Sequence, residues 1–225
     1  MSDGAILAID TAFGPIGVAL CSASGDPIAG EALSNTLGAQ AEKLPPLVEQ
    51  LFAKARLSPR ALGRIAVTVG PGAFTGVRVG LAFAKGMASA LKLPVLGFTT
   101  LACLGTQART ARQDATNYVS VIDARRSEFY VQGFDRELNS LFGPGVMSAD
   151  QIVSAIAGMA GACALAGSGA RAIADQLRGR RPGVEALEIE TIDARLLAVA
   201  ASAAEPGAHP PVPCYLRDAD ARLPS

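Results

Sequence analysis

Apolar positions along the chain change period several times, and each change marks an element. Residues 5–9 form an unbroken apolar run, Ala5-Ile6-Leu7-Ala8-Ile9, that ends on Asp10 and Thr11. After the turn Phe13-Gly14-Pro15, residues 16–22 and 27–33 predict further strands joined at Ser24-Gly25-Asp26, so the chain opens as an antiparallel meander. The period then lengthens. Leu44, Leu47, Val48, Leu51, Phe52 and Ala55 recur at helical spacing and predict an amphipathic helix over residues 40–56. Pro45 and Pro46 stand near its start, where they either set the first turn or kink it. Ser58-Pro59 caps a short turn. Residues 65–69 alternate and are rich in β-branched types, which predicts a buried strand. A helix to about residue 91, a strand at 94–98 and a helix at 99–112 follow.

After Asp114-Ala115-Thr116 the order begins again. Val119-Ser120-Val121-Ile122-Asp123 lies over Ile6-Leu7-Ala8-Ile9-Asp10, each a strand ending in aspartate. Strands at 127–134 and 137–147, a helix at 149–158, a strand at 162–167 and a helix at 169–178 come next. A strand near 186–190 and an alanine-rich helix at 193–204 complete the pattern, and the prolines of 205–213 end regular structure. Tyr215-Leu216-Arg217 is then a short ordered piece. An α/β chain of duplicated βββαβα units in two subdomains has the plan of the actin-like ATPase superfamily. There, two strand-end carboxylates face a cleft and hold Mg²⁺-nucleotide or a water. On periodicity alone, a pair of unrelated α/β halves looks the same. The expected division is 1–100, 101–210 and a tail, 211–225, that packs back on the body.

The stretch with the most pointed chemistry lies between the strand at 65–69 and the next helix. Gly70-Pro71-Gly72 breaks the strand, and Thr75 can cap the helix that follows. A turn of this kind leaves backbone N–H groups at a helix N-terminus, where an anion is favoured. No Lys-Ser/Thr follows the glycines, so the loop is not a Walker A sequence, and a tight turn without ligand fits equally. Within the helix, Gly76, Gly80, Ala84 and Ala88 recur every fourth residue, and Ala82, Gly86 and Ala90 add a second small row. Glycine inside a helix costs up to ~1 kcal/mol against alanine, so these positions imply close approach of another backbone. That backbone belongs either to the chain's own sheet or to a second subunit.

Composition narrows the function. Half of the 225 residues are apolar and 18% are charged, which excludes general disorder. Twenty basic and twenty acidic residues cancel, and no aromatic–basic cluster is visible, so the isolated chain is not expected to grip RNA. Arg125, Arg126 and the cluster at 178–181 are the places to look if it does. Cys21, Cys103, Cys163 and Cys214 are scattered and read as buried small hydrophobes of a reducing compartment. The one histidine, His209, sits in the proline-rich tail, so metal ligands are scarce and a Ser-His-Asp set is excluded. Residues 151–170 carry no charge but are broken by Gly158 and Gly161, and no membrane span is expected. No signal peptide is read at the start.

The segments Ile6-Leu7-Ala8-Ile9-Asp10-Thr11, Gly70-Pro71-Gly72-Ala73-Phe74-Thr75-Gly76-Val77-Arg78-Val79-Gly80, Ile122-Asp123-Ala124-Arg125 and Tyr215-Leu216-Arg217 resemble, in order, the bacterial TsaB (YeaZ) family. The resemblance implies a cytoplasmic, non-catalytic subunit that pairs with TsaD, a relative of the same fold. With TsaE, the pair transfers a threonylcarbamoyl group from an adenylate made by TsaC to N6 of the adenosine beside the tRNA anticodon. It further implies that the isolated chain binds no cofactor, that ATP/ADP and Mg²⁺ enter at the level of the complex, and that tRNA is met only through the complex. A homodimer of the free chain is also compatible. TsaD-like relatives carry two metal-binding histidines on the first long helix; here that segment is Gln40-Ala41-Glu42-Lys43-Leu44-Pro45-Pro46, with Gln40 where TsaB proteins often keep histidine.

The expected pairing surface is built from Leu44, Leu47 and Leu51 with Gly76, Gly80, Ala84 and Ala88. Replacing Gly80 or Ala84 by leucine is expected to block pairing and spare the fold. Candidate ligand or interface residues are Asp10, Gly70, Gly72, Thr75, Arg78, Asp123 and Arg125. Asp10 is either a relic of a nucleotide site or a hydrogen-bonding strand end. Asp123 and Arg125 either pair with each other or leave Arg125 free for a partner's anion, and Arg78 serves an anion or a surface ion pair. Glu42, Lys43, Glu49 and Lys54 form a solvated helix face. The alternative activity is an actin-like ATPase or kinase using Asp10 and Asp123 around Mg-nucleotide. Against it, Arg125 and Arg126 stand where glycines would let backbone approach phosphate.

Overall fold

The computed structural model describes residues 4–33 and 38–217. Strands β1 (Ala5–Asp10), β2 (Ile16–Cys21) and β3 (Pro27–Leu33) lead into helix α1 (Gln40–Ala55), then β4 (Leu62–Thr68), α2 (Phe74–Leu91), β5 (Val95–Phe98) and α3 (Thr100–Ala111). The second series is β6 (Asn117–Asp123), β7 (Glu128–Asp135), β8 (Ser140–Ser148), α4 (Ala149–Ala157), β9 (Cys163–Ala166), α5 (Ala170–Leu177), β10 (Val184–Ala186) and α6 (Ala194–Ala203). Two five-stranded sheets result, in the orders β3-β2-β1-β4-β5 and β10-β9-β6-β7-β8. Read from the opposite edge, the second order repeats the first. In both, the first strand pairs antiparallel with its successor and parallel with the fourth. The duplication read from the sequence is therefore a duplication of topology.

The unbroken run of β1 is explained by burial on both faces. Leu7 and Ile9 meet Leu44, Leu51, Val77 and Leu81 of α1 and α2. Ile6 and Ala8 face the other way, onto Leu197, Ala198 and Ala201 of α6. Alanines on both partners bring α6 close to the sheet. Helix α6 thus packs on the first sheet although it lies in the stretch expected to form the second subdomain, so chain order and spatial order differ there. The second sheet buries Val119, Val121, Leu165 and Val131 against α4 and α5. Between the sheets lie Phe13, Leu101, Leu104, Tyr118 and Ile122.

Three local expectations are corrected. Helix α1 runs through Pro45 and Pro46 without a break. The strand expected near 186–190 ends at Ala186; Leu187 N–H still bonds Leu165 C=O (2.8 Å), but Ile189 N–H turns to Leu187 C=O (2.9 Å) and leaves the ladder. Helix α2 starts one residue before Thr75, with Ala73 at the N-cap and no side-chain cap. Thr75 stands in the first turn, exposed.

Candidate functional site

The end of β1 and the turn after β4 form one tightly knit unit. Asp10 is fully buried. Its Oδ1 accepts from Thr68 Oγ1 (2.5 Å) and from the Ala12 N–H (3.1 Å), while Oδ2 is buried without a partner. Burial pushes its carboxyl up to about 7, against the opposing pull of the Thr68 and backbone hydrogen bonds. Thr11 Oγ1 donates to the Gly76 carbonyl (2.7 Å), and Ala73 N–H donates to Ala12 C=O (2.8 Å). Gly70 has φ +92°, a conformation that side chains rarely adopt, and is followed by a cis bond to Pro71.

The glycine face of α2 is explained within the chain. A Cβ at Gly76 would collide with the Thr11 carbonyl, one at Gly80 with Thr11 Oγ1, and one at Gly72 with the Ala12 carbonyl. Ala84 and Ala88 are buried in the same core, as are Leu44, Leu47 and Leu51. These residues are consequently not the pairing surface expected from sequence. A leucine at Gly80 or Ala84 would disturb this chain's own packing, because the helix lies directly on the end of β1. The second small row behaves differently: Ala82, Gly86 and Ala90 are exposed, and a Cβ at Gly86 would meet no atom within 4 Å.

At the end of β6 the second aspartate is placed otherwise. Asp123 is exposed; its N–H donates to Ser168 Oγ (3.0 Å), and its Oδ1 accepts from the Arg125 N–H (2.7 Å). The bond between residues 123 and 125 is therefore to the backbone of Arg125, not to its guanidinium. Arg125, Arg126 and Ser127 all adopt left-handed backbone, with φ of 63°, 57° and 61°. Asp10 and Asp123 do not form a matched pair of exposed carboxylates. The Mg-nucleotide reading expects both at a cleft, and Asp10 is sealed.

The tail binds both halves together. His209 C=O accepts from Gly97 N–H (2.9 Å), and its ring stacks on Phe98 at 4.4 Å. Cys214 N–H donates to Val69 C=O (2.7 Å). Arg217 donates to Ala124 C=O (3.2 Å) and pairs with Glu128. Between these anchors, Tyr215 lies against Phe74, with centroids 5.7 Å apart and planes at 35°. Arg78 stands 3.7 Å over the Phe74 ring and donates from Nε to the Tyr215 hydroxyl (3.2 Å). An aromatic–guanidinium cluster thus exists where sequence reading found none, because its members lie 137 residues apart. Residues 218–225 of the expected tail lie outside the described residues.

Other features carry less chemistry. A groove of about 510 Å³ runs beside β2 and β3 under Arg195, but Asp193 and Arg195 pair across it at 2.7 Å, and Gln107 is engaged by Thr191 and Asp193. Among the described residues, no group of three His, Cys, Asp or Glu could hold a metal ion. Cys21 and Cys163 are buried, as expected for thiols that serve as packing; Cys103 and Cys214 are half-buried. Gln40 is buried at the start of α1. No helix among the described residues is long and apolar enough to cross a membrane.

Comparison with known proteins places this geometry. Residues 37–175 match the family model described as TsaD, tRNA N6-adenosine threonylcarbamoyltransferase. The tRNA threonylcarbamoyladenosine biosynthesis protein TsaB of Escherichia coli is 31% identical over 137 residues, 61% of this chain and 58% of that protein. The chain's match thus spans little more than half the length of that curated relative. A crystal structure from Pseudomonas aeruginosa, of an uncharacterised protein with similarity to peptidase YeaZ, is 30% identical with a TM-score of 0.75, over 95% of this chain and 100% of that one. The 2-hydroxyisocaproyl-CoA dehydratase activator of Clostridium difficile, solved with ADPNP, shares the fold alone: 12% identity and a TM-score of 0.51, over 88% of this chain and 94% of that one. Motif, duplicated topology and family model agree, and the chain belongs to the TsaD-related TsaB (YeaZ) family.

Proposed function

We propose that this chain is the non-catalytic member of the complex that transfers a threonylcarbamoyl group to N6 of the adenosine beside the tRNA anticodon. It pairs with a TsaD-type chain and holds it in a competent state. TsaE, the threonylcarbamoyl-adenylate made by TsaC, tRNA, and ATP/ADP with Mg²⁺ are met by the complex and not by this chain alone. The residues present fit that division. Of the two strand-end carboxylates that a Mg-nucleotide site would use together, Asp10 is sealed under the turn after β4.

The observation that carries the pairing role is a contrast along one helix. The inner glycines of α2 are required by Thr11, whereas Gly86 on the outer row has open space above it. Glycine at an exposed helical position costs up to ~1 kcal/mol with no return inside the chain. A helix from a partner laid on Ala82, Gly86 and Ala90 supplies that return. Helix α1 packs beside α2 and exposes Glu42, Glu49 and Ala53.

The test is complementation in cells lacking this chain, with tRNA nucleosides read by mass spectrometry. Asp10→Asn is expected to restore the modified adenosine, since no catalytic step passes through Asp10. Gly86→Arg is expected to fold and to fail, with loss of co-purification of the TsaD-type chain. Full modification by Gly86→Arg would remove the pairing surface, and abolition by Asp10→Asn in a folded protein would return Asp10 to the chemistry.

A further inference from the structure

We propose that Phe74, Arg78 and Tyr215 form an anchor that grips an acidic side chain of the TsaD-type partner, at the N-terminal end of the outer face of α2. This rests on the pairing role above and adds to it the residues that fix register and partner choice.

The cluster is built as an interface hot spot is built. Phe74 and Tyr215 are about half exposed, at 48% and 50%, and are among the few large apolar side chains left at the surface. Aromatic residues and arginine are the types that dominate interface energetics. Here the arginine is preorganised. Stacking on Phe74 and the bond from Nε to Tyr215 hold the guanidinium in one orientation. Among the described residues, neither terminal nitrogen of Arg78 has a hydrogen-bond partner and no carboxylate pairs with it. A planar, exposed cation stacked on one ring and tethered to the hydroxyl of another is complementary to a carboxylate approached in bidentate fashion.

Two observations favour a protein over RNA. The rings are tilted, with centroids 5.7 Å apart, and leave no slot for a base; a sandwiched base needs about 7 Å, twice the ~3.5 Å contact distance. The molecule has no net charge to draw a polyanion to this face. Phe74 and Arg78 also continue the four-residue row of Ala82, Gly86 and Ala90 toward the N-terminus of α2. Tyr215 lies beyond residues 37–175, the stretch shared with the TsaD model, so the cluster combines the common fold with this chain's own tail.

The experiment is a calorimetric titration of the full chain with the purified TsaD-type protein of the same cell. Arg78→Ala and Tyr215→Ala are expected to weaken binding about tenfold to hundredfold, and Arg78→Lys nearly as much because the fork is lost. Thermal unfolding midpoints should stay near wild type, since the side chains are exposed. An Arg60→Ala control, remote from the cluster, should bind as wild type. Binding of Arg78→Ala and Tyr215→Ala within twofold of wild type overturns the anchor while leaving the pairing role intact. Failure of the wild-type chain to bind overturns both. Unchanged partner affinity with loss of tRNA binding by the assembled complex reassigns the cluster to RNA. Unchanged partner affinity with conversion of a dimer of this chain to monomer reassigns it to self-association. Either reassignment also ends the proposal.

Discussion

At the ends of β1 and β6 the chain places an aspartate at the same position of the same topology, yet the surroundings diverge. After β1, the returning turn and α2 press onto Thr11 and Ala12, with glycine at each close approach. After β6, the returning turn also closes on its strand: Gly167 has φ +107°, and Gly169 N–H donates to Val121 C=O (3.0 Å). There, however, the backbone contact falls on Val121, two residues before the strand end, and Asp123 meets the turn only through its N–H and stays exposed. Asp123 is followed by buried Ala124, and then by Arg125 and Arg126 in left-handed backbone, where the first half has Ala12 and Phe13 under the turn. One motif therefore yields a sealed acid in one half and an exposed acid in the other. The number of side-chain atoms near the strand end, not the aspartate, decides which.

The sharpest way to break the comparison is a single methyl group. Gly76→Ala sets a Cβ against the Thr11 carbonyl and is expected to destabilise the chain by about 3 kcal/mol, since α2 must lift off β1 and lose the Thr11 bond. The same change at Gly86, in open space on the same helix, is expected to stabilise by about 0.5–1 kcal/mol. Urea unfolding of both variants reads the difference. Equal effects would mean that the inner row is not set by Thr11.

A comparable effect is expected from Asp10, and it depends on pH. The folded carboxyl sits at about 7 against an ordinary value of 3.8, so the native state binds more protons between these values. The contribution of Asp10 to stability is then greatest below about pH 4, falls as pH rises, and is least above about pH 7, by up to roughly 4 kcal/mol. Asp10→Asn removes the titration. It should flatten the profile and exceed wild type in stability at pH 8, by chemical denaturation across pH 4–9. A wild-type profile that rises from pH 4 to 7 would contradict the buried, unpaired oxygen of Asp10.

Much of this was legible from residue order because it depends on local pattern. The runs ending in Asp10 and Asp123 reveal the duplication, and Gly70-Pro71-Gly72 locates the turn. What could not be read depends on which surface a periodic row meets. Rows at four-residue spacing through Gly80 and Gly86 look alike in sequence, and only the position of Thr11 makes one inner and the other outer. The return of α6 to the first sheet is likewise invisible, since Ala198 and Ala201 suit either sheet. The cluster of Phe74, Arg78 and Tyr215 was missed for the same reason: no local signal links a tail tyrosine to the first turn of α2.

The smallest expected effect concerns the exposed half of the comparison and separates strain from function. Left-handed backbone costs an L-residue roughly 1–2 kcal/mol, and Asn tolerates it better than Arg without the entropy penalty of Gly. Arg125 has φ 63°, is exposed, and gives only its backbone N–H to Asp123. Arg125→Asn preserves that bond and is expected to raise stability by about 0.5 kcal/mol in urea unfolding. Strain that can be relieved so simply, and persists beside a strand end, points to a use for the side chain. Arg125→Asn tested by complementation should then lower the modified adenosine even as the isolated protein becomes more stable. If stability rises and modification stays full, the arginine is tolerated there and nothing more, and the exposed aspartate end has no function of its own.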